Sequence, residues 1–251
     1  MTRIGVLGVG SLAEYLIRGA KGSAHTFVVS PRSATRAARL AQDFGVEVAD
    51  SNQAVLDACQ MILVCLPAVE GLTILQSLTL RHDHSVLSAM AGPTIDRLRT
   101  AISPAQGFCA MMPGYANAFG AGPCLIYPPD PAWQAFLSCL GPVHEFTDAA
   151  SYETASAFGA MSGASVFLMR HLAHWFAQHG VNPKTARRLV AETFRGNAEV
   201  LLQSPEPLDA IARGVTTPGG ITELLVATLD QTASIAAWDA AMDAVLARMT
   251  R

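Results

Sequence analysis

Charge is scarce in this chain. Asp, Glu, Lys and Arg make up 15% of the 251 residues, against 51% hydrophobic, and the formal net charge is -3. Lysine is almost missing: Lys21, just past the first helix pattern, and Lys184, at a later helix start, are the only two, so no catalytic lysine is expected. No Lys/Arg run occurs anywhere, which makes nucleic acid and anionic membrane poor partners. No uninterrupted apolar segment is long enough to span a bilayer. Met1-Thr2-Arg3 leads directly into a strand pattern, so no signal peptide is expected. The five cysteines, Cys59, Cys65, Cys109, Cys124 and Cys139, show neither CxxC nor Cys/His ligand spacing. They read as small buried hydrophobes in a reducing cytoplasm, with no metal site or disulfide frame.

What is abundant is apolar surface. A mean hydropathy of +0.30 implies a globular chain that buries part of its exterior against a partner subunit. Arg3 to Leu7 has the look of a short strand. Gly8-Val9-Gly10-Ser11-Leu12-Ala13 follows it, and helical spacing then begins with Leu12, Leu16 and Ile17 on one face. Strand, glycine turn, helix is the context in which G-x-G-x-x-A means dinucleotide binding. Gly8 permits the tight turn, Gly10 lets a diphosphate approach the backbone, and Ala13 keeps the helix close to the strand.

The second strand, Thr26 to Val29, ends in Ser30-Pro31-Arg32-Ser33. An NAD site wants an acidic residue there for the ribose 2′-hydroxyl, but Asp43 and Glu47 come too late. Arg32, between Ser30 and Ser33, instead suits the 2′-phosphate of NADP(H), because a guanidinium offers a fork of donors. Strand patterns continue at Val46–Val48, Met61–Leu66, Ser85–Ala89 and Gly107–Met111, with Leu125–Tyr127 and Val143–Phe146 as closing edge strands and a helix at Ser51–Ala58. Leu66-Pro67 falls at a carboxyl strand end, where open α/β sheets bind ligands. The turn-rich segment from Met111 through Met112 and Pro113 to Gly120 is a candidate lining for a nicotinamide pocket, or an ordinary loop.

After Phe146 the strand signals stop. Ser151 to Gln178 reads as one helix, poor in charge and buried on most sides. Asn182-Pro183 opens a helix to Gln203 by the cap-then-proline rule, and Pro205 and Pro207 break it. Short helices follow at Leu208–Arg213 and Ile221–Asp230, then one from Thr232 to Met249. The switch of period predicts an α/β fold with a Rossmann-type dinucleotide-binding domain over 1–148. An all-helical dimerisation and substrate domain is expected over 149–251. His171 and His174 lie one turn apart, with no third ligand in view, and read as structural or exposed.

Val215-Thr216-Thr217-Pro218-Gly219-Gly220-Ile221-Thr222-Glu223 is where the chemistry is placed. Thr217, or alternatively Thr216, reads as an N-cap with Pro218 at the first helical position. Gly219 and Gly220 strip the first turn of side chains. Bare amides at a helix start favour an anion. The alternative is a capped helix start that binds nothing.

With both halves laid out, the chain resembles Δ1-pyrroline-5-carboxylate reductases over essentially its whole length. The likeness is carried by Ile4 to Glu14, Met112-Pro113, His179 to Pro183 and, most specifically, Val215 to Thr222. It implies an NADPH-dependent reductase of a carboxylate-bearing cyclic imine, dimeric through its helical domain. It further implies that Thr222 hydrogen-bonds the imine nitrogen. Thr217 and the amides of Gly219, Gly220, Ile221 and Thr222 would hold the carboxylate. Gly8, Gly10, Ser11, Leu12, Ser30, Arg32, Ser33, Leu66, Pro67, Met112 and Pro113 fall at its cofactor positions. The chain departs from the family pattern at Gly114-Tyr115-Ala116, at Gly159 to Ser165, at Leu66 and at Ile221, which leaves the identity of the imine open. A β-hydroxyacid dehydrogenase would need a lysine on the long interdomain helix, and none lies between Ser151 and Gln178. A dinucleotide-binding sensor without turnover is the reading from a different class.

Overall fold

A computed structural model describes residues 2–249. The described residues form two compact units, one drawn from residues 2–159 and 245–249, the other from Ala160–Ala244.

The first unit is built on an eight-stranded sheet: β1 (Thr2–Leu7), β2 (His25–Val29), β3 (Glu47–Val48), β4 (Met61–Val64), β5 (Ser85–Ser88), β6 (Gln106–Met111), β7 (Cys124–Tyr127) and β8 (Val143–Glu145). Their order is β3-β2-β1-β4-β5-β6-β7-β8. The first six follow the doubly wound order of dinucleotide-binding sheets and are parallel throughout. β7 then pairs antiparallel with β6, and β8 parallel with β7.

Alternation along the strands explains the two cores. Ile4, Val6 and Leu63 point to one face, where they join Trp133, Phe136 and Leu16. Leu7, Ile62 and Val64 point to the other, onto Val55, Leu56 and Leu98. A strand covered on both faces has no polar side to show, which is why Met61 to Val64 is fully buried and reads as a continuous apolar run. The helices that cover the sheet include α1 (Ser11–Gly19), α2 (Ala34–Phe44), α3 (Asn52–Ala58), α4 (Ala68–Gln76), α5 (Ile95–Ile102), α6 (Pro131–Leu137) and α7 (Ala149–Ser156). Ser51 caps α3 by accepting from the Ala54 amide at 3.0 Å.

The single helix expected over Ser151–Gln178 is two. α7 stops at Ala157 and α8 runs from Phe158 to Gln178. α7 is held by Tyr152, stacked on Tyr127 and edge-on to Phe146. Just before the break the Ser156 hydroxyl donates back to the Tyr152 carbonyl at 2.8 Å, a bond that competes with the helical ladder. The expected burial of this stretch is also corrected: α8 buries no residue.

The remaining helices are α9 (Pro183–Gln203), α10 (Leu208–Gly214), α11 (Ile221–Gln231) and α12 (Ser234–Met249). Asn182 caps α9 as expected, accepting from the Lys184 and Thr185 amides. α9 buries Ala186 and Val190, whereas α10, α11 and α12 bury nothing. Phe167, Leu224, Leu225 and Ile235 are among the large apolar side chains left exposed. No helix among the described residues is long and apolar enough to cross a membrane.

Candidate active site

The first component of the site sits at the carboxyl end of the parallel strands. β1 ends at Leu7, and Gly8 turns the chain at φ +92°, a region that disfavours any residue with a Cβ. Space forbids one too: a Cβ there would lie 2.7 Å from the Cys65 carbonyl oxygen. Ser30, fully buried, accepts from the Gly8 amide at 3.0 Å and donates its own amide to Val6. It therefore fixes the turn from beneath. Gly10 caps α1 with no side-chain hydrogen bond, and nothing stands within 4 Å of where its Cβ would be. The leading amides of α1 thus face a cleft with room for a diphosphate.

That cleft has a volume of about 570 Å³, within the range of cofactor pockets. Gly8, Gly10, Ser11, Leu12, Arg32, Ser33, Leu66 and Pro67 all line it, joined by Cys65, Ala68 and Ala89 to Ala91. Ser30 lies below it and Met112 is buried in the core beneath the sheet end, outside the lining. Pro113 leads away into a braced loop that carries a 3-10 turn, Tyr115–Phe119. Buried Asn117 accepts from the Gly114 amide at 2.8 Å and donates to the Gly122 and Leu140 carbonyls. Tyr115 stacks on Tyr15 of α1 with ring centroids 4.8 Å apart. Burial pushes the pKa of the Cys65 thiol up to about 12, which favours the protonated thiol over the thiolate.

Arg32 brings charge to the cleft lining, and two further arginines, Arg36 and Arg39, reach α1 from α2. Arg32 pairs with Glu70 at 3.1 Å. Arg36 donates to the Ser11 hydroxyl at 3.1 Å. Arg39 is neutralised by Glu14 and by Asp43. Arg36 was missed in the sequence. The signal was there, since Arg36 sits in the first turn of the helix after β2, beside the glycine-led start of α1.

The second component is the turn before α11, and here the expected cap is corrected. α11 starts at Ile221 with Gly220 as its cap residue, and neither Thr217 nor Thr216 caps it. Thr216 instead donates back to the Ala212 carbonyl at 2.9 Å. The Gly220 amide donates to the Thr217 carbonyl at 2.9 Å, and Gly219 has φ +70°. Proline at the second position and a glycine of positive φ at the third make a type II turn. Pro-Gly therefore outcompetes Thr-Pro as the local signal. The Thr217 hydroxyl lies so close over Gly220 that a Cβ there would collide with it.

Not every amide of this turn is bare. Glu223 reaches back and accepts from the Gly219 amide at 2.6 Å. α11 nevertheless begins without a side-chain cap, and Thr222 stands half-buried in its first turn while Ile221 is exposed. Thr217, Gly219, Gly220, Ile221 and Thr222 are thus gathered within a single turn. His171 and His174 are both exposed, and no cluster of three or more metal-ligating side chains occurs among the described residues.

Comparison with known proteins agrees with this construction. Residues 150–251 match the family model for pyrroline-5-carboxylate reductase dimerisation, and residues 3–92 match that for NADP oxidoreductase, coenzyme F420-dependent. Pyrroline-5-carboxylate reductase 1 of Bacillus spizizenii is 24% identical over 234 residues, covering 88% of this chain and 79% of its own. Among solved structures, 1-pyrroline-5-carboxylate reductase of Streptococcus pyogenes superposes with a TM-score of 0.85 at 20% identity, covering 98% of this chain and 97% of that one. The pyrroline carboxylate reductase of Plasmodium falciparum with NADP bound gives 0.85 at 17% identity, covering 99% and 97%. With both family models placed and the relatives matched over most of their length, the chain is similar to the pyrroline-5-carboxylate reductases in both of its parts, at about 24% identity.

Proposed function

We propose that this protein is an NADPH-dependent reductase of a carboxylate-bearing cyclic imine, 1-pyrroline-5-carboxylate first among them, giving proline. The observation that carries the reading is the Thr217 to Thr222 turn, with two hydroxyls and a run of backbone amides ahead of α11. NADPH, when bound, supplies a hydride to the C=N carbon, so the protein contributes binding, orientation and charge control. The turn at Gly8 and Gly10, with Ser11 and Leu12, holds the diphosphate at the start of α1. Arg32, with Ser33, takes the 2′-phosphate as a bidentate fork. Leu66 and Pro67 form the far wall of the same cleft. Ser30 acts from below through Gly8, and Met112, buried in the core, supports the sheet end without lining the cleft.

On the substrate side, the Thr217 hydroxyl and the amides of Ile221 and Thr222 receive the carboxylate, and the Gly219 amide joins them once Glu223 releases it, while the Gly220 amide stays in the turn. The Thr222 hydroxyl hydrogen-bonds the nitrogen as it becomes an amine. Holding both ends of a small rigid ring fixes its orientation, and alignment of this kind lowers barriers by up to ~7–11 kcal/mol. The helical region that matches the dimerisation model joins two copies into a homodimer, and five free thiols suit a reducing cytoplasm.

The test is NADPH oxidation across a panel of cyclic imines. Oxidation with 1-pyrroline-5-carboxylate, and not with imines lacking the carboxylate, is the expected result. NADPH binding without turnover on the whole panel overturns this reading in favour of a dinucleotide-binding sensor.

A further inference from the structure

The three arginines beyond β2 differ in what holds them. Arg39 is neutralised by Glu14 and Asp43, both from the cleft's own arm of α1 and α2. Arg36 meets the uncharged hydroxyl of Ser11. Arg32 alone is paired across the opening: its partner Glu70 stands in the first turn of α4, just past Pro67 and Ala68 on the other border of the cleft. One nitrogen of the guanidinium assigned to a phosphate, Nη2, already donates to a carboxylate.

The two cofactors treat this pair differently. The 2′-phosphate of NADPH carries between one and two negative charges near neutral pH and needs the Arg32 fork. To use Nη2 the phosphate must displace Glu70, and in any pose on this guanidinium it sits beside the carboxylate, where like charges repel. NADH presents only a hydroxyl and leaves the ion pair intact. Glu70 stays where it is because a carboxylate in the first turn of a helix is favoured by the helix dipole.

We propose that Glu70 is a specificity-determining residue for the cofactor. It holds Arg32 in the free protein, yields it to the 2′-phosphate, and so lowers the preference for NADPH over NADH. The inference rests on the assignment of Arg32 to the 2′-phosphate. Both side chains are more than half exposed, at 57% and 58%, so solvent screening limits the effect to a few-fold.

The experiment uses the full chain with Glu70→Gln, Arg32→Ala and the double variant, titrated with NADPH and with NADH by cofactor fluorescence at low salt. Glu70→Gln is expected to tighten NADPH about three- to fivefold, the span of an exposed ion pair, while NADH stays within about twofold. In the Arg32→Ala background the gain should vanish. Glu70→Ala, a second substitution at a solvent-facing position, should move in the same direction. An unchanged NADPH-to-NADH preference in Glu70→Gln overturns the proposal, as does a preference that moves only because NADH weakens. If Arg32→Ala weakens NADPH selectively while Glu70→Gln does nothing, Glu70 alone is excluded. If Arg32→Ala weakens both cofactors equally, the 2′-phosphate assignment falls and takes the inference with it.

Discussion

The molecule has two glycine turns that each open a helix, and they are held in opposite ways. The turn at Gly8 is shaped by the core: a fully buried serine from the neighbouring strand grips its amide, and the Cys65 carbonyl leaves no room for a Cβ. The turn at Gly219 is shaped locally. Its hydrogen bonds run to Thr217 and Glu223, at most four residues away, and nothing stands within 4 Å of the missing Cβ. One is a rigid cradle set by tertiary packing; the other is a surface device whose neighbours can exchange partners. A diphosphate that must always dock in the same pose suits the first. A small substrate that must enter and leave suits the second.

Exchanging glycine for alanine at each turn should separate them most sharply. Gly8→Ala combines an unfavourable φ with a backbone clash, and strain of about 3 kcal/mol would cost on the order of 10²-fold in cofactor affinity. It should also lower the denaturant midpoint, whereas Gly219→Ala, with the conformational penalty alone, should cost about 1–2 kcal/mol of stability and leave NADPH binding unchanged. Equal losses of cofactor affinity at both positions would erase the distinction.

Thr222→Ala tests the chemistry of the second turn. NADPH titration should be unaffected while kcat for imine reduction falls on the order of 10²-fold, the usual effect of removing one polar donor at a reacting atom. Unchanged turnover removes Thr222 from the mechanism. Glu223→Ala should have a smaller effect. Freeing the Gly219 amide is expected to lower KM for 1-pyrroline-5-carboxylate about threefold, in line with one exposed hydrogen bond.

The smallest effect concerns the first unit alone. His84 is fully buried between the Arg81 amide and the Leu56 carbonyl, and desolvation lowers its pKa below the usual 6.5, as it does for His25. A base whose folded pKa is depressed binds more protons when unfolded, so its stabilisation is complete above pH 6.5 and lost as pH falls through the folded value. The denaturant midpoint should therefore decline below pH 6.5, with a shallower slope in His84→Gln.

Most of the sheet could be read in advance, because strands such as β1, β4, β6 and β7 carry their own signature: an apolar run, then a glycine or proline close to where it stops. The period change after Phe146 was legible for the same reason. What escaped were pairings between distant segments. Ser30 reaches Gly8 across 22 residues, Arg36 reaches Ser11 across 25, and Arg32 reaches Glu70 across 38. No local pattern encodes such contacts. The cap at Thr217 failed for another reason: two local rules overlapped, and the positive φ that glycine accepts at 219 decided between them. The apolarity of α8 was visible, but composition does not say whether a chain's own atoms or another molecule's will cover it.

That last point reaches beyond geometry. A helical region whose longest elements leave Phe167, Leu201 and Leu202 facing water gains little from folding alone. In the proposed homodimer its persistence depends on encounter, so dilution would act on it as a mild denaturant does, and abundance in the cell would become part of what keeps the protein in shape.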